Sequence, residues 1–309
     1  MIPLAEGIYY IDLNYLGTDQ LIACAVIETA QGLLLVDPGP AVTLPHLKTA
    51  LQQAGFSLAD VHALLLTHIH LDHAGATGAI VAEAPHVEVY VHQIGAPHVV
   101  DPDRLLASAR RLYGELMDTL WGAVLPVPPT QVTALTGAEK LCFGNRTLQV
   151  AYTPGHAMHH VSFLDTKTGV AFVGDTAGMQ LTGTHCVLPV TPPPDIQLEP
   201  WQESLARLAQ WQPKLLFLTH FGPSDTPIVH LSEMARRLRE MAEAVRAALA
   251  VGGDEAQQAE AFHEQVMAEL RACLQDEALL TRYEWFGQPR VSWQGLARYW
   301  RRKSQLSEA

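Results

Sequence analysis

The sequence predicts a mixed α/β fold, and three observations carry that expectation. Short apolar runs rich in aliphatic and β-branched residues recur through the first two thirds of the chain, and several stop at His or Asp beside turn residues. Amphipathic helical patterns stand between them. The last quarter is dominated by strong helix formers and charge. In order, residues 7–11, 21–28 and 32–36 read as strands separated by turns, and residues 43–54 as an amphipathic helix. A strand over residues 61–66, a short helix over 75–82 and a strand over 87–91 follow. Residues 97–129 then form a helical insertion, helical over 104–121 and closed by Pro126, Pro128 and Pro129. Apolar runs at 148–152, 170–173 and 215–218 complete the strands. Beyond them, helices are expected over residues 231–249, ending before Gly252-Gly253, then over 255–274 and 293–302. This divides the chain into a catalytic region, residues 1–230, and a C-terminal helical region, 231–309.

The most specific segment is Thr67-His68-Ile69-His70-Leu71-Asp72-His73, directly after the apolar run Val61-His62-Ala63-Leu64-Leu65-Leu66. Neutral imidazole suits Zn, Fe or Mn, and a carboxylate adds the negative charge a divalent cation prefers. His68 and His70 alternate like strand residues, so they can point one way. Asp72 and His73 cannot share that direction and suit a second ion. Burying three imidazoles and a carboxylate without a cation would leave polar groups unsatisfied at high cost. Further donors stand in similar settings: His156 after Thr153-Pro154-Gly155, Asp175 after Gly174, and His220 in Thr219-His220-Phe221-Gly222-Pro223. Loops fixed by a rigid sheet are the usual carriers of such sites.

In that order, Asp37 of Val36-Asp37-Pro38-Gly39, the HxHxDH cluster, His156, Asp175 and His220 resemble the metallo-β-lactamase-fold hydrolases over about the first 230 residues. The resemblance implies a four-layered αββα sandwich. It also implies one metal on His68, His70 and His156, a second on Asp72, His73 and His220, and Asp175 bridging both. Asp37 would orient ligands without touching metal. Glyoxalase II members likewise append a helical C-terminal region, although many of them and many lactonases carry His-Ala-Gly-Gly where this chain has His73-Ala74-Gly75-Ala76. The Thr219 to Pro223 stretch looks more like little-characterised bacterial and archaeal members.

Of the 15 histidines, most are not ligand candidates. His160 is expected to be a structural hydrogen-bonding group, and His46, His62, His86, His92, His98, His159 and His263 are read as structural or surface residues. His185, in the loop after Asp175, is a candidate substrate contact, and His230 a weaker one. The helical insertion has apolar residues (Leu105, Leu112, Leu116, Trp121) that either cover the metal cleft or pack on the sheet. A Pro-rich loop, residues 188–194, could shape access from another side.

Composition narrows the function classes. The formal net charge of −12 repels phosphate backbones, so no nucleic-acid partner is expected. No apolar run reaches the roughly 20 residues a membrane helix needs, and the first residues lack the basic and apolar stretches of a signal peptide. Cys24, Cys142, Cys186 and Cys273 show no CxxC pairing, which fits a reduced, cytoplasmic protein. The expected partner is a small-molecule substrate, with no membrane partner and the oligomeric state open, a homodimer included.

The expected chemistry is metal-assisted hydrolysis. Two divalent ions, Zn first and Fe or Mn also accommodated, share a hydroxide that attacks a carbonyl carbon, with Asp72 orienting it and Asp175 setting the spacing. No GxSxG nucleophile motif is present. A thioester, lactone or ester is the expected substrate, because its leaving group needs little acid help. The alternatives are an oxidoreductase like the persulfide dioxygenases, which use this fold with one iron, and a phosphodiesterase of the ribonuclease Z type. The acidic charge argues against the latter.

Overall fold

The computed structural model describes residues 1–307, with side chains through Gln305; residues 308 and 309 of the expected C-terminal region lie outside the described residues. The first half of the chain builds one sheet and its cover: β1 (Ile2–Ala5), β2 (Ile8–Asp12), β3 (Ala23–Thr29), β4 (Gly32–Val36), α1 (Leu44–Gln53), β5 (Val61–Leu65), α2 (Leu71–Ala74), α3 (Thr77–Glu83), β6 (Glu88–His92), α4 (Ala96–Val100), α5 (Asp103–Tyr113), α6 (Met117–Leu120) and β7 (Val132–Leu135). The seven strands lie in chain order. The first four pair antiparallel, and β4 through β7 run parallel, which is where helices intervene as crossovers.

The second half builds β8 (Lys140–Phe143), β9 (Arg146–Tyr152), β10 (Val161–Asp165), β11 (Val170–Phe172), α7 (Leu198–Gln210), β12 (Leu215–Leu218) and β13 (Gly222–Ser224). These six strands are ordered β13-β12-β11-β10-β9-β8. The chain closes with α8 (Pro227–Val251), α9 (Glu255–Cys273), α10 (Glu277–Gly287) and α11 (Pro289–Ser307).

Side-chain alternation explains the layering. In β3, Ala23, Ala25 and Ile27 face the cluster shared with the second sheet, while Cys24 and Val26 face a separate cluster under α1, α3 and the insertion. In β4, Leu34 and Val36 point inward and Leu33 and Leu35 outward. The second sheet is covered in turn by Trp201, Leu205 and Leu208 of α7 and by Leu231, Met234 and Leu238 of α8. Helix, sheet, sheet, helix is the sandwich the resemblance implied. The central strands β4, β10 and β11 are covered on both faces, so each reads as a run of buried residues. Arg146 and Asp165, both buried, pair at 2.9 Å between neighbouring strands.

The structure corrects the cysteine reading. Cys186 and Cys273 form a disulfide across 87 residues of chain, with Cα atoms 6.1 Å apart, while Cys24 and Cys142 are free. The pairing depends on α9 folding back over the loop after Asp175, a tertiary contact with no trace in local spacing. The cysteines therefore no longer argue for a reducing compartment. Among the described residues, no helix is long and apolar enough to cross a membrane.

Candidate metal centre

All seven expected donors converge where the two sheets open at their ends. His68, His70, His156 and Asp175 form one group and Asp72, His73 and His220 another; within each, the donor atoms lie within 4.8 Å of one another. Asp175 stands between the two. Its Oδ2 is 3.3 Å from His156 Nε2, and its Oδ1 is 3.2 Å from His73 Nε2 and 3.3 Å from His220 Nε2. One carboxylate thus offers an oxygen to each side.

Each element delivers its donor through a fixed backbone geometry. Asp37 follows β4 with φ of 52°, a left-handed conformation that Asp tolerates better than most residues. That turn aims a fully buried carboxylate at three segments. Oδ1 accepts from Thr67 N–H at 2.8 Å, and Oδ2 accepts from Thr67 Oγ1 at 2.7 Å and Thr219 Oγ1 at 3.0 Å. Oδ2 also accepts from His73 Nδ1 at 2.8 Å, which leaves Nε2 of that ring facing the centre. His220 donates Nδ1–H to Leu21 O at 2.7 Å, and His156 donates Nδ1–H to Val190 O at 3.0 Å. In both, Nε2 is turned inward. Gly174, with φ of 44°, precedes Asp175; a Cβ there would lie 2.5 Å from Thr67 Oγ1 and 2.7 Å from His160 Nε2. Only glycine lets Asp175 approach so closely. His160 is the structural group expected: Thr153 Oγ1 is 2.9 Å from its Nδ1, and Asp175 N–H donates to its Nε2 at 3.3 Å.

The inward atoms suit cations. His73 Nε2 and His220 Nε2 stand 3.1 Å apart, and His156 Nε2 and His70 Nδ1 3.0 Å apart. In the first pair both Nδ1 atoms are already committed to Asp37 and Leu21 O, so neutral rings would meet lone pair to lone pair. His68 Nε2 is buried with no hydrogen-bond partner, a costly condition that a bound positive charge relieves. The donor set of imidazoles and carboxylates therefore fits divalent ions of the Zn, Fe or Mn type.

Charge states split across the centre. Burial pushes the His68, His70 and His156 rings below the usual histidine range, His156 to about 4. Burial also opposes charge on His73 and His220, but Asp175 and neighbouring carboxylates outweigh it. His73 is held well above its usual value and His220 up to about 9. The carboxylates answer in kind. Burial would raise both, yet the facing histidines bring Asp72 down to about 2 and Asp175 well below the usual range.

Above the centre lies a cleft of about 790 Å³, with His70, Asp72, His156 and Asp175 on its lining. The insertion does cover it, through Leu105, Leu112 and Trp121, while Trp121 also packs in the core below. The Pro192–Pro194 turn, α10 and α11 supply other walls. His185 is not brought to the site: it is exposed and absent from the cleft lining. Thr184 Oγ1 donates to Leu181 O at 2.8 Å and meets the Tyr283 hydroxyl at 3.0 Å, fixing a turn that sends His185 outward. His230 is a buried structural group, with Nε2 2.8 Å from Ala177 O. His159, read as structural, lines the cleft with its ring stacked 6.1 Å from that of His68. Its signal was its place in His156-Ala157-Met158-His159-His160, a second histidine cluster at the end of β9. Tyr15 was also missed, since nothing local in its loop marks it as a cleft residue.

A family model described as the metallo-beta-lactamase superfamily matches residues 17–220. The chain belongs to the metallo-beta-lactamase superfamily. Within it, the metallo-beta-lactamase fold-containing protein ST1585 of Sulfurisphaera tokodaii is 31% identical over 187 residues, 59% of this chain and 69% of that protein. A crystal structure of ST1585 superposes with a TM-score of 0.66 at 22% identity, covering 95% of this chain and 99% of that one. The superfamily protein TTHA1429 of Thermus thermophilus gives 0.72 at 21% identity, covering 98% and 95%. At those identities the two structures speak to the fold. A hydroxyacylglutathione hydrolase of Shewanella oneidensis is 30% identical over 151 residues, 48% of this chain and 45% of that protein.

Proposed function

We propose that this protein is a dinuclear metal-dependent hydrolase of carbonyl ester-type bonds, acting on a thioester, lactone or ester. The observation that carries the reading is Asp175, one buried carboxylate with an oxygen toward each of two donor groups at the floor of a cleft. His68, His70 and His156 would hold one ion, Asp72, His73 and His220 the other, and Asp175 would belong to both. Divalent ions held there, Zn by expectation, would supply Lewis acidity and make water a nucleophile at neutral pH.

The protein's own groups divide the remaining work. Asp37 fixes the His73 tautomer and ties that histidine to Thr67 and Thr219, so three loops keep one geometry. Asp72, on the cleft lining, orients the attacking water and accepts its proton. The aromatic walls restrict bulk water around the reacting carbonyl. A distant likeness to a hydroxyacylglutathione hydrolase supports a thioester among the candidate bonds. The test is metal analysis of the purified protein, then a panel of thioesters, lactones and phosphodiesters. Two ions per chain with turnover of a carbonyl ester support the reading. Turnover confined to phosphodiesters, or none on any member of the panel, refutes it.

A further inference from the structure

Helix α5 buries none of its residues, yet Leu105, Ala109 and Leu112 on one side of it line the cleft. Leu112 is exposed, and Leu116 just beyond is 57% exposed. Leu105 and Ala109 also pack on the core beneath, so the uncovered apolar surface at the cavity edge is that of Leu112 and Leu116, which gains by covering an apolar ligand. A ladder of rings continues that surface. Tyr113 meets Trp121 edge-on at 5.1 Å, Trp121 stacks on Tyr15 at 6.0 Å, and Tyr15 stacks on Trp285 at 5.9 Å. It runs from the insertion through an N-terminal loop to α10, so three distant stretches of chain make one apolar wall.

Charge on the same lining runs against that of the molecule. The chain is acidic overall, with a formal net charge of −12. The cleft nevertheless carries Arg104 and Arg111, two turns apart on α5, and Arg298 on α11. Among the described residues, none of the three makes an ion pair or a side-chain hydrogen bond. By contrast, Arg236, Arg237, Arg246, Arg290 and Arg301 of the C-terminal helices each pair with a glutamate. Asp195 is the one carboxylate that joins Asp72 and Asp175 on the lining. Guanidinium groups without a protein partner, set beside an apolar wall, present forks shaped for a carboxylate or phosphate.

We propose that the cleft selects an amphipathic oxyanion. Its substrate joins an apolar chain or ring, laid on α5 and the ring ladder, to a part bearing a carboxylate or phosphate held by Arg104, Arg111 and Arg298. The proposal rests on the hydrolase reading for the bond that is cut. Water adds to the acyl carbon, the carbon–sulfur or carbon–oxygen bond breaks, and the leaving atom takes up a proton.

The test uses the metal-loaded full chain and three inert thioethers sharing a decyl chain, built on mercaptoacetate, on mercaptoethyl phosphate and on neutral mercaptoethanol. Binding is followed by the fluorescence of the cleft tryptophans, Trp121 and Trp285. Matching decanoyl thioesters are then assayed for kcat/KM. At least one anionic thioether is expected to bind about tenfold tighter than the neutral one, as charge-assisted hydrogen bonds do, and the tighter arm names the oxyanion. In the R104Q/R111Q/R298Q variant the gap should shrink to about twofold or less, with the thermal midpoint unchanged because these side chains hold no protein partner. Equal binding of neutral and anionic compounds to wild type overturns the proposal, as does a gap that survives in the variant. Turnover of all three thioesters at one rate also overturns it while leaving the hydrolase reading intact. Selective binding without turnover of any thioester, lactone or ester overturns the hydrolase reading and leaves the arginine assignment standing.

Discussion

The floor and the walls of the cleft are built on opposite principles. The floor gathers donors from loops at strand ends, with His73 aimed by a hydrogen bond to Asp37 and His156 and His220 by hydrogen bonds to backbone carbonyls. The walls come from α5, α10 and α11, where residues such as Leu112 and Trp285 are exposed. A superfamily can therefore keep one chemistry on a rigid floor and vary what it acts on through the walls.

The sharpest way to break that contrast is at Asp175. Asp175→Ala should abolish hydrolysis, a loss of roughly a thousandfold or more, because the variant removes the shared oxygen pair. Steady-state kinetics checks it, and undiminished turnover would detach the floor from the chemistry. Next comes the support beneath it. Asp37→Ala leaves Thr67 N–H and His73 Nδ1 buried without an acceptor, so it should cost about 2–4 kcal/mol in denaturant unfolding. Metal affinity should also fall by about 10–100-fold, as for other groups that orient ligands.

The difference between floor and walls also decides what the sequence disclosed. All seven donors stand at the ends of apolar runs or in a dense motif, so local pattern and resemblance together brought them into view. Strand β10 was missed because polar Ser162 and Asp165 interrupt the apolar run over Val161–Asp165; Ser162 is buried and pairs with Thr153. Helix α7 was hidden by the neighbouring prolines of residues 192–194, and α10 by its weak amphipathicity between two longer helices. The Cys186–Cys273 bridge depends on tertiary packing alone, and the outward turn of His185 is held in part by the distant Tyr283 hydroxyl. What a wall residue touches cannot be read from its neighbours in the chain.

A third prediction concerns protons. His220 titrates near 9 and His73 well above its usual value without metal, so both rings carry protons at pH 7. Metal uptake must displace them, and affinity should rise with pH up to about 9. Calorimetry in buffers of different ionisation enthalpy measures the released protons; no release at pH 7 would contradict the charge pattern. The linked stability has the same sign. The raised His220 contributes fully below about pH 6.5, and in metal-free protein that contribution is lost as pH rises through about 9. The smallest effect belongs to the walls. Trp285 is 39% exposed, so Trp285→Ala should change stability by under about 1 kcal/mol. Its KM should rise several-fold with kcat unchanged, the mark of lost uniform binding. An equal fall in kcat would mean that the walls also serve the reacting atoms.

The most direct measurement is a count of ions. Metal-stripped protein, reloaded with excess Zn and dialysed, should retain two equivalents per chain by elemental analysis, and Asp175→Ala should retain one or fewer. A folded wild type that retains none, or a variant that still holds two, would contradict the account.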